Sequence, residues 1–126
     1  MTRIALLAGA AILAATPALA DAAQEISIAA THAGLAAKNG MINGVQMHLH
    51  HALNCLVGPN GAGYDKAQEN PCAKSGTGAI PDETDAAKKQ TLTMAAQQAQ
   101  DALGQSDLAT AKAGAQKVAD TIKSAQ

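Results

Sequence analysis

Apolar residues recur every three or four positions in four stretches of the chain, with polar residues between them. This period is typical of amphipathic helices that bury one face, and no stretch favours a strand. We therefore predict an all-α fold with helices at residues 22–38, 43–57, 81–103 and 107–122. Pro81 suits the first turn of the third helix, and Ser106 is the expected cap of the fourth.

Glycine-containing connections separate the helices of each predicted pair. Asn39–Gly40 follows the first helix and Gly104–Gln105 follows the third. Helices joined by so few residues pack as antiparallel neighbours, so the sequence predicts an antiparallel four-helix bundle. Residues 58–82 form a long loop between the second and third helices, and such a loop inside a compact domain indicates function or disorder.

The first twenty residues have the pattern of a cleavable export signal. Arg3 precedes the apolar run 4–15, and Ala18-Leu19-Ala20 matches a cleavage site. The run is too short to be a stable membrane anchor. We predict cleavage after Ala20, a single helical domain at residues 21–126 and a periplasmic or secreted bacterial protein.

Two cysteines flank the first part of the long loop. Cys55 lies near the end of the second predicted helix and Cys72 lies in the loop. Two cysteines in an oxidising compartment usually pair, so we predict a disulfide. The alternative is that they are thiolate ligands of a metal ion.

The charge balance argues against two classes of partner. Residues 21–126 contain eight lysines, no arginine and ten acidic residues, which gives a net charge of −2 with neutral histidines. A slightly acidic chain is not expected to bind nucleic acid or an anionic membrane. Tyr64 is the single aromatic residue in this range, so the core is expected to consist of small aliphatic side chains.

Three of the four histidines lie within the second predicted helix. His48 and His51 are three residues apart and share a face, whereas His50 is rotated roughly 200° from His48. His32 lies six residues before the end of the first helix, so an antiparallel hairpin brings it to the level of His48 and His51. We predict that these three imidazoles converge, with His50 and Met47 near the rim.

Imidazole ligands suit copper, zinc or nickel, and a thioether from Met47 would favour copper. A haem group is a further alternative, but the chain has no Cys-x-x-Cys-His string and no Phe or Trp to wall a haem pocket. We therefore predict a transition-metal site at His32, His48 and His51.

Two simpler interpretations remain open for this chain. The histidines could be purely structural, and the protein could be an interaction or envelope-stress module that recognises a protein partner through a helix face or the loop. Catalysis has little support because a disulfide-bonded Cys55 cannot act as a nucleophile beside His51. We predict that the protein is not an enzyme.

The strings HLHH at residues 48–51, NCLVGP at 54–59 and NPC at 70–72 resemble a group of uncharacterised small secreted bacterial proteins. This resemblance covers roughly residues 46–82 and implies no particular activity. The chain is also loosely similar to small periplasmic four-helix metal-binding proteins. Those proteins are richer in histidine, so the resemblance implies one metal site at most.

Overall fold

The computed structural model describes residues 21–126, which contain five helices and no strand. The helices are α1 (Ala22–Lys38), α2 (Ile42–Val57), α3 (Ala79–Asp82), α4 (Ala86–Leu103) and α5 (Leu108–Lys123). The predicted all-α class is confirmed. The predicted signal segment lies outside the described residues.

Small side chains dominate the contacts between the long helices. α1 packs against α2 and α5, and α4 packs against α5 and α2. The core consists mainly of alanines around the fully buried Leu49, Leu53, Leu56 and Leu92. A side chain at Gly114 of α5 would approach Cβ of Ala102 on α4 to 2.7 Å, which is inside normal contact distance. The close helix approach that is expected from an alanine-rich sequence is therefore present.

The predicted third helix, residues 81–103, is wrong at its start. Glu83 Oε1 accepts hydrogen bonds of 2.8 Å from the backbone N–H groups of Thr84 and Asp85, which turns the chain out of α3. The Asp85 carboxylate then caps α4 by accepting a hydrogen bond from the N–H of Lys88. The four-residue α3 is thus separate from α4.

The predicted cap of the last helix is also wrong by one residue. Asp107, rather than Ser106, precedes α5, and its carboxylate accepts hydrogen bonds from the N–H and the hydroxyl of Thr110. These hydrogen bonds lower the pKa of Asp107 below its ordinary value. A carboxylate at this position is also stabilised by the positive end of the helix dipole.

Residues 58–78 connect α2 to α3, so the predicted loop 58–82 ends four residues too late. The predicted disulfide between Cys55 and Cys72 is present, with a Cα–Cα distance of 5.1 Å. Gly58 and Gly78 have positive φ angles of 68° and 122°, and their backbones are in contact. The two ends of the loop therefore meet, at a point where a larger residue would be strained.

None of the helices within residues 21–126 is both long enough and apolar enough to cross a membrane.

Candidate metal centre

Three histidines from two adjacent helices meet at one level. His32 lies on α1, and His48 and His51 lie on α2. One nitrogen of each ring lies within 4.8 Å of one nitrogen of each of the other two, and the Nδ1 atoms of His32 and His48 are 3.3 Å apart. The convergence that was predicted from the helical spacing is therefore confirmed.

The rings meet through their edges rather than by stacking. Their centroids are 5.2 to 5.8 Å apart, and the interplanar angles are 41° for His32–His48, 78° for His32–His51 and 90° for His48–His51. Zinc–imidazole bonds of about 2.0–2.1 Å in tetrahedral geometry place two nitrogens about 3.3 Å apart. The His32–His48 separation already has this value, and small side-chain rotations would bring His51 to it.

His51 contains a polar atom whose hydrogen-bonding capacity is not used. Only 7% of this residue is exposed, and its Nδ1 has no hydrogen-bond partner anywhere in residues 21–126. Burying a polar atom without a partner is unfavourable, so such an atom in a folded protein calls for an explanation. A metal ion bound through this nitrogen would supply one, and the three histidines fit that group.

Burial also places these histidines in the protonation state that binds metal. It lowers the pKa of His32 and of His51 below the ordinary value of 6.5, and charge repulsion from neighbouring imidazoles lowers both further. A neutral imidazole offers a free lone pair, whereas a protonated one does not. Both side chains are therefore ready to act as ligands at neutral pH.

Asn54 fixes the loop beside the histidines, a role that the sequence did not reveal. Its fully buried amide donates hydrogen bonds to the carbonyl groups of Asp65, Gln68 and Glu69 at 2.9 to 3.3 Å, and its Oδ1 accepts one from the N–H of Asp65 at 2.9 Å. Asn54 lies three residues after His51, so the clamped segment lies about one helical turn from that histidine. A polar residue among the buried positions of α2 was the available signal.

Glu69 is the acidic neighbour of the cluster. Its side chain is exposed, and its negative charge raises the pKa of both His32 and His51, against the effect of burial. The sequence placed no carboxylate near the histidines because both helices lack one at that level. The carboxylate instead comes from the loop, whose path sequence spacing does not define.

His50 is not part of the group of three, although its buried Nδ1 also lacks a hydrogen-bond partner within residues 21–126. Nδ1 of His50 is 3.7 Å from Oδ2 of Asp65, and Met47 is exposed. Cys55 is bonded to Cys72, so neither cysteine offers a thiolate.

Comparison with known proteins adds no relative to this picture. No family model matches the chain. No curated protein and no solved structure is significantly similar to it. The resemblance to small secreted bacterial proteins therefore stays a prediction, and any function has to be argued from the site itself.

Proposed function

We propose that the protein binds one transition-metal ion through His32, His48 and His51. The observation that carries this proposal is the convergence of three imidazole nitrogens, one from each ring, within 4.8 Å of one another. Facing helices commonly build metal sites from side chains in this way.

A purely structural role explains the cluster less well. Between neutral rings, the 3.3 Å contact of the Nδ1 atoms of His32 and His48 can be a hydrogen bond, but no hydrogen bond satisfies Nδ1 of His51 within residues 21–126. A structural histidine in a core would normally have both ring nitrogens bonded, which is not the case for His51 within the described part of the chain.

The donor set favours borderline metals. Three imidazoles leave one position of a tetrahedral ion open, and copper, zinc and nickel all accept nitrogen ligands. The exposed Glu69 carboxylate nearby favours zinc, nickel or copper(II) over copper(I), which prefers sulfur. Haem remains an alternative with less support, since a cavity of about 540 Å³ lies between the loop and α4 and is not lined by histidine.

The setting of this site completes the proposal. The four long helices form an antiparallel bundle, and the chain acts as an exported, non-catalytic metal-binding protein that is cleaved after Ala20. The disulfide is compatible with an oxidising compartment.

Calorimetric titration of residues 21–126 with copper, zinc and nickel tests the proposal. We expect one equivalent to bind, and the double substitution His48→Ala/His51→Ala to abolish binding. His50→Ala is the matched control, because it removes an imidazole from the same helix but outside the trio, and it should bind like the unchanged protein. Equal weak binding by all three proteins would rule the site out.

A second candidate function is a protein-interaction or envelope-stress module without a ligand. The cavity beside α4, lined by Val57, Ile80, Pro81 and Ala96 among others, favours it. This function predicts that a partner is retained after the histidine substitutions and lost after substitutions at Ile80 and Ala96. If the protein binds a metal ion instead, metal binding should be lost after the histidine substitutions and retained after those at Ile80 and Ala96.

A further inference from the structure

A second buried polar cluster lies where the loop returns to the start of α1. Glu25, in the first turn of α1, is fully buried, and its Oε1 accepts a hydrogen bond of 2.9 Å from the N–H of Gly78. The carboxyl group of Asp82, on α3, lies beside the Glu25 carboxyl, since oxygens of both groups border the same point of the loop. Gly76 passes against both groups, and a side chain there would collide with Asp82 and approach Oε1 of Glu25 to 2.9 Å.

The hydrogen-bond donors around these two carboxyl groups are too few for two carboxylates. Asp82 accepts hydrogen bonds from the backbone N–H of Thr77 at 2.6 Å and from its hydroxyl at 2.5 Å. Gly78 serves Oε1 of Glu25, but within residues 21–126 no donor reaches the buried Oε2. A proton on Glu25 itself, donated to the neighbouring carboxylate, supplies the missing bond.

We propose that Glu25 and Asp82 share one proton, and that this pair is a latch that holds the end of the loop, residues 75–78, against the start of α1. Losing the proton places two adjacent negative charges in a buried site and removes the bond between α1 and α3. The latch then opens as the pH rises.

The electrostatic surroundings agree with this geometry. Burial raises the pKa of Glu25 to about 7, and the charges of Asp82 and Asp21 raise it as well, against the lowering effect of the Gly78 hydrogen bond. The hydrogen bonds from Thr77 keep the pKa of Asp82 below its ordinary value, although its own partial burial opposes them. One carboxyl group is therefore a proton carrier and the other an anion at neutral pH, as in other carboxyl pairs whose pKa values are driven apart.

α2 and α5 also pack against α1. The titratable groups of α2 are histidines at the level of His32, two helical turns beyond Glu25. α5 carries the titratable side chains Lys112, Lys117, Asp120 and Lys123. The charges that do act on Glu25 are acidic, so they favour its neutral form.

A bound cation fits this cluster poorly. The backbone N–H groups of Thr77 and Gly78 and the hydroxyl of Thr77 all point at the carboxyl oxygens. These donors would face any ion placed between the two groups. Such donors suit a negative charge, so a proton is the better occupant.

The experiment is a pH titration of the ¹³C carboxyl signal of Glu25 in the unmodified protein, combined with amide hydrogen exchange at Thr77 and Gly78, whose N–H groups are bonded to the two carboxyl groups. We expect Glu25 to titrate near pH 7, and the protection factors of these amides, corrected for intrinsic exchange, to fall as the pH rises from about 5 to about 8. The fall can reach about tenfold per pH unit. Glu25→Gln, which can still accept from Gly78 and donate to Asp82, should keep these amides protected across the range.

Asp101→Asn is the control, because it removes one exposed carboxylate on α4 that does not contact Glu25 or Asp82, and it should retain the pH dependence of the unmodified protein. An ordinary Glu25 pKa near 4.5 would overturn the proposal, and so would equal pH dependence in Glu25→Gln. Restoration of protection at high pH by added calcium would also overturn it, by assigning the pair to a cation. The carboxyl titration needs no substitution, so it decides the matter even if Glu25→Gln fails to fold.

Discussion

The histidine trio and the carboxyl pair are two buried polar clusters on the same helix, seven residues apart on α1. Each contains a buried atom without a hydrogen-bond partner in the described chain, Nδ1 of His51 in one and Oε2 of Glu25 in the other. Burial disfavours the charged form in both, so it lowers the pKa of His32 and His51 and raises that of Glu25. A neutral base offers a lone pair and a neutral acid offers a proton. The same physical cause thus prepares one cluster for a metal ion and the other for a proton.

The largest expected effect follows from removing the disulfide, because only the carboxyl pair depends on the loop that the disulfide closes. Replacing both Cys55 and Cys72 by alanine should lower the free energy of unfolding by about 3 kcal/mol, because the open loop regains conformational freedom when the chain unfolds. Chemical denaturation measures this loss. Metal affinity should change little, since all three histidines lie on helices, whereas the pKa of Glu25 should move towards its ordinary value. Loss of metal binding together with an unchanged pKa of Glu25 would contradict this prediction.

Metal should stabilise the folded protein through the histidine cluster, and only while the imidazoles are neutral. At a free metal concentration of one hundred times Kd, we expect about 2.7 kcal/mol of added stability, measured by thermal unfolding with and without zinc. The gain should persist to a pH below 6.5 and vanish on further acidification, because the pKa values of His32 and His51 are lowered and protonation competes with the metal. The same gain in His48→Ala/His51→Ala would contradict the assignment.

Glu25→Gln should remove a loss of stability that the unchanged protein undergoes as the pH rises. The folded protein holds the Glu25 proton up to about pH 7, whereas the unfolded chain releases it near pH 4.5, so the unchanged protein loses stability between these values. The variant lacks this loss. At about pH 8 it should therefore be more stable relative to the parent than at about pH 4, by on the order of 2 kcal/mol. Denaturation curves at both pH values that show a constant difference would contradict the account.

The smallest expected effect concerns the exposed Glu69. Its carboxylate should attract the bound cation through solvent, so Glu69→Gln should weaken zinc binding by about two- to fivefold, the range of an exposed ion pair. Lys66→Gln, a change of charge on the same loop, serves as the control and should not weaken binding. A loss of a hundredfold would instead identify Glu69 as a direct ligand and sharpen the description of the site.

Local patterns were enough to predict the histidine trio, because helical period and a short hairpin fix which residues share a level. His32 could be aligned with His48 and His51 by counting residues from the turn. The bounds of α1 followed from the same periodicity. The predicted disulfide followed from the cysteine count and the expected export.

Long-range contacts could not be predicted in this way. The burial of Glu25 depends on where the loop returns at Gly78, 53 residues later in the chain, so no local pattern indicates it. Asn54 organises the loop through hydrogen bonds to backbone carbonyls, which leave no pattern in the sequence. Ser106 was predicted as the cap of α5 in place of Asp107, because both residue types can cap a helix and the local sequence does not distinguish them.

X-ray absorption spectroscopy of the protein with one equivalent of zinc tests the central claim most directly. We expect three imidazole nitrogens about 2.0 Å from the ion, together with one oxygen ligand, and a loss of the imidazole signal in His48→Ala/His51→Ala but not in His50→Ala. A zinc shell without imidazole, or one that the double substitution leaves unchanged, would contradict it.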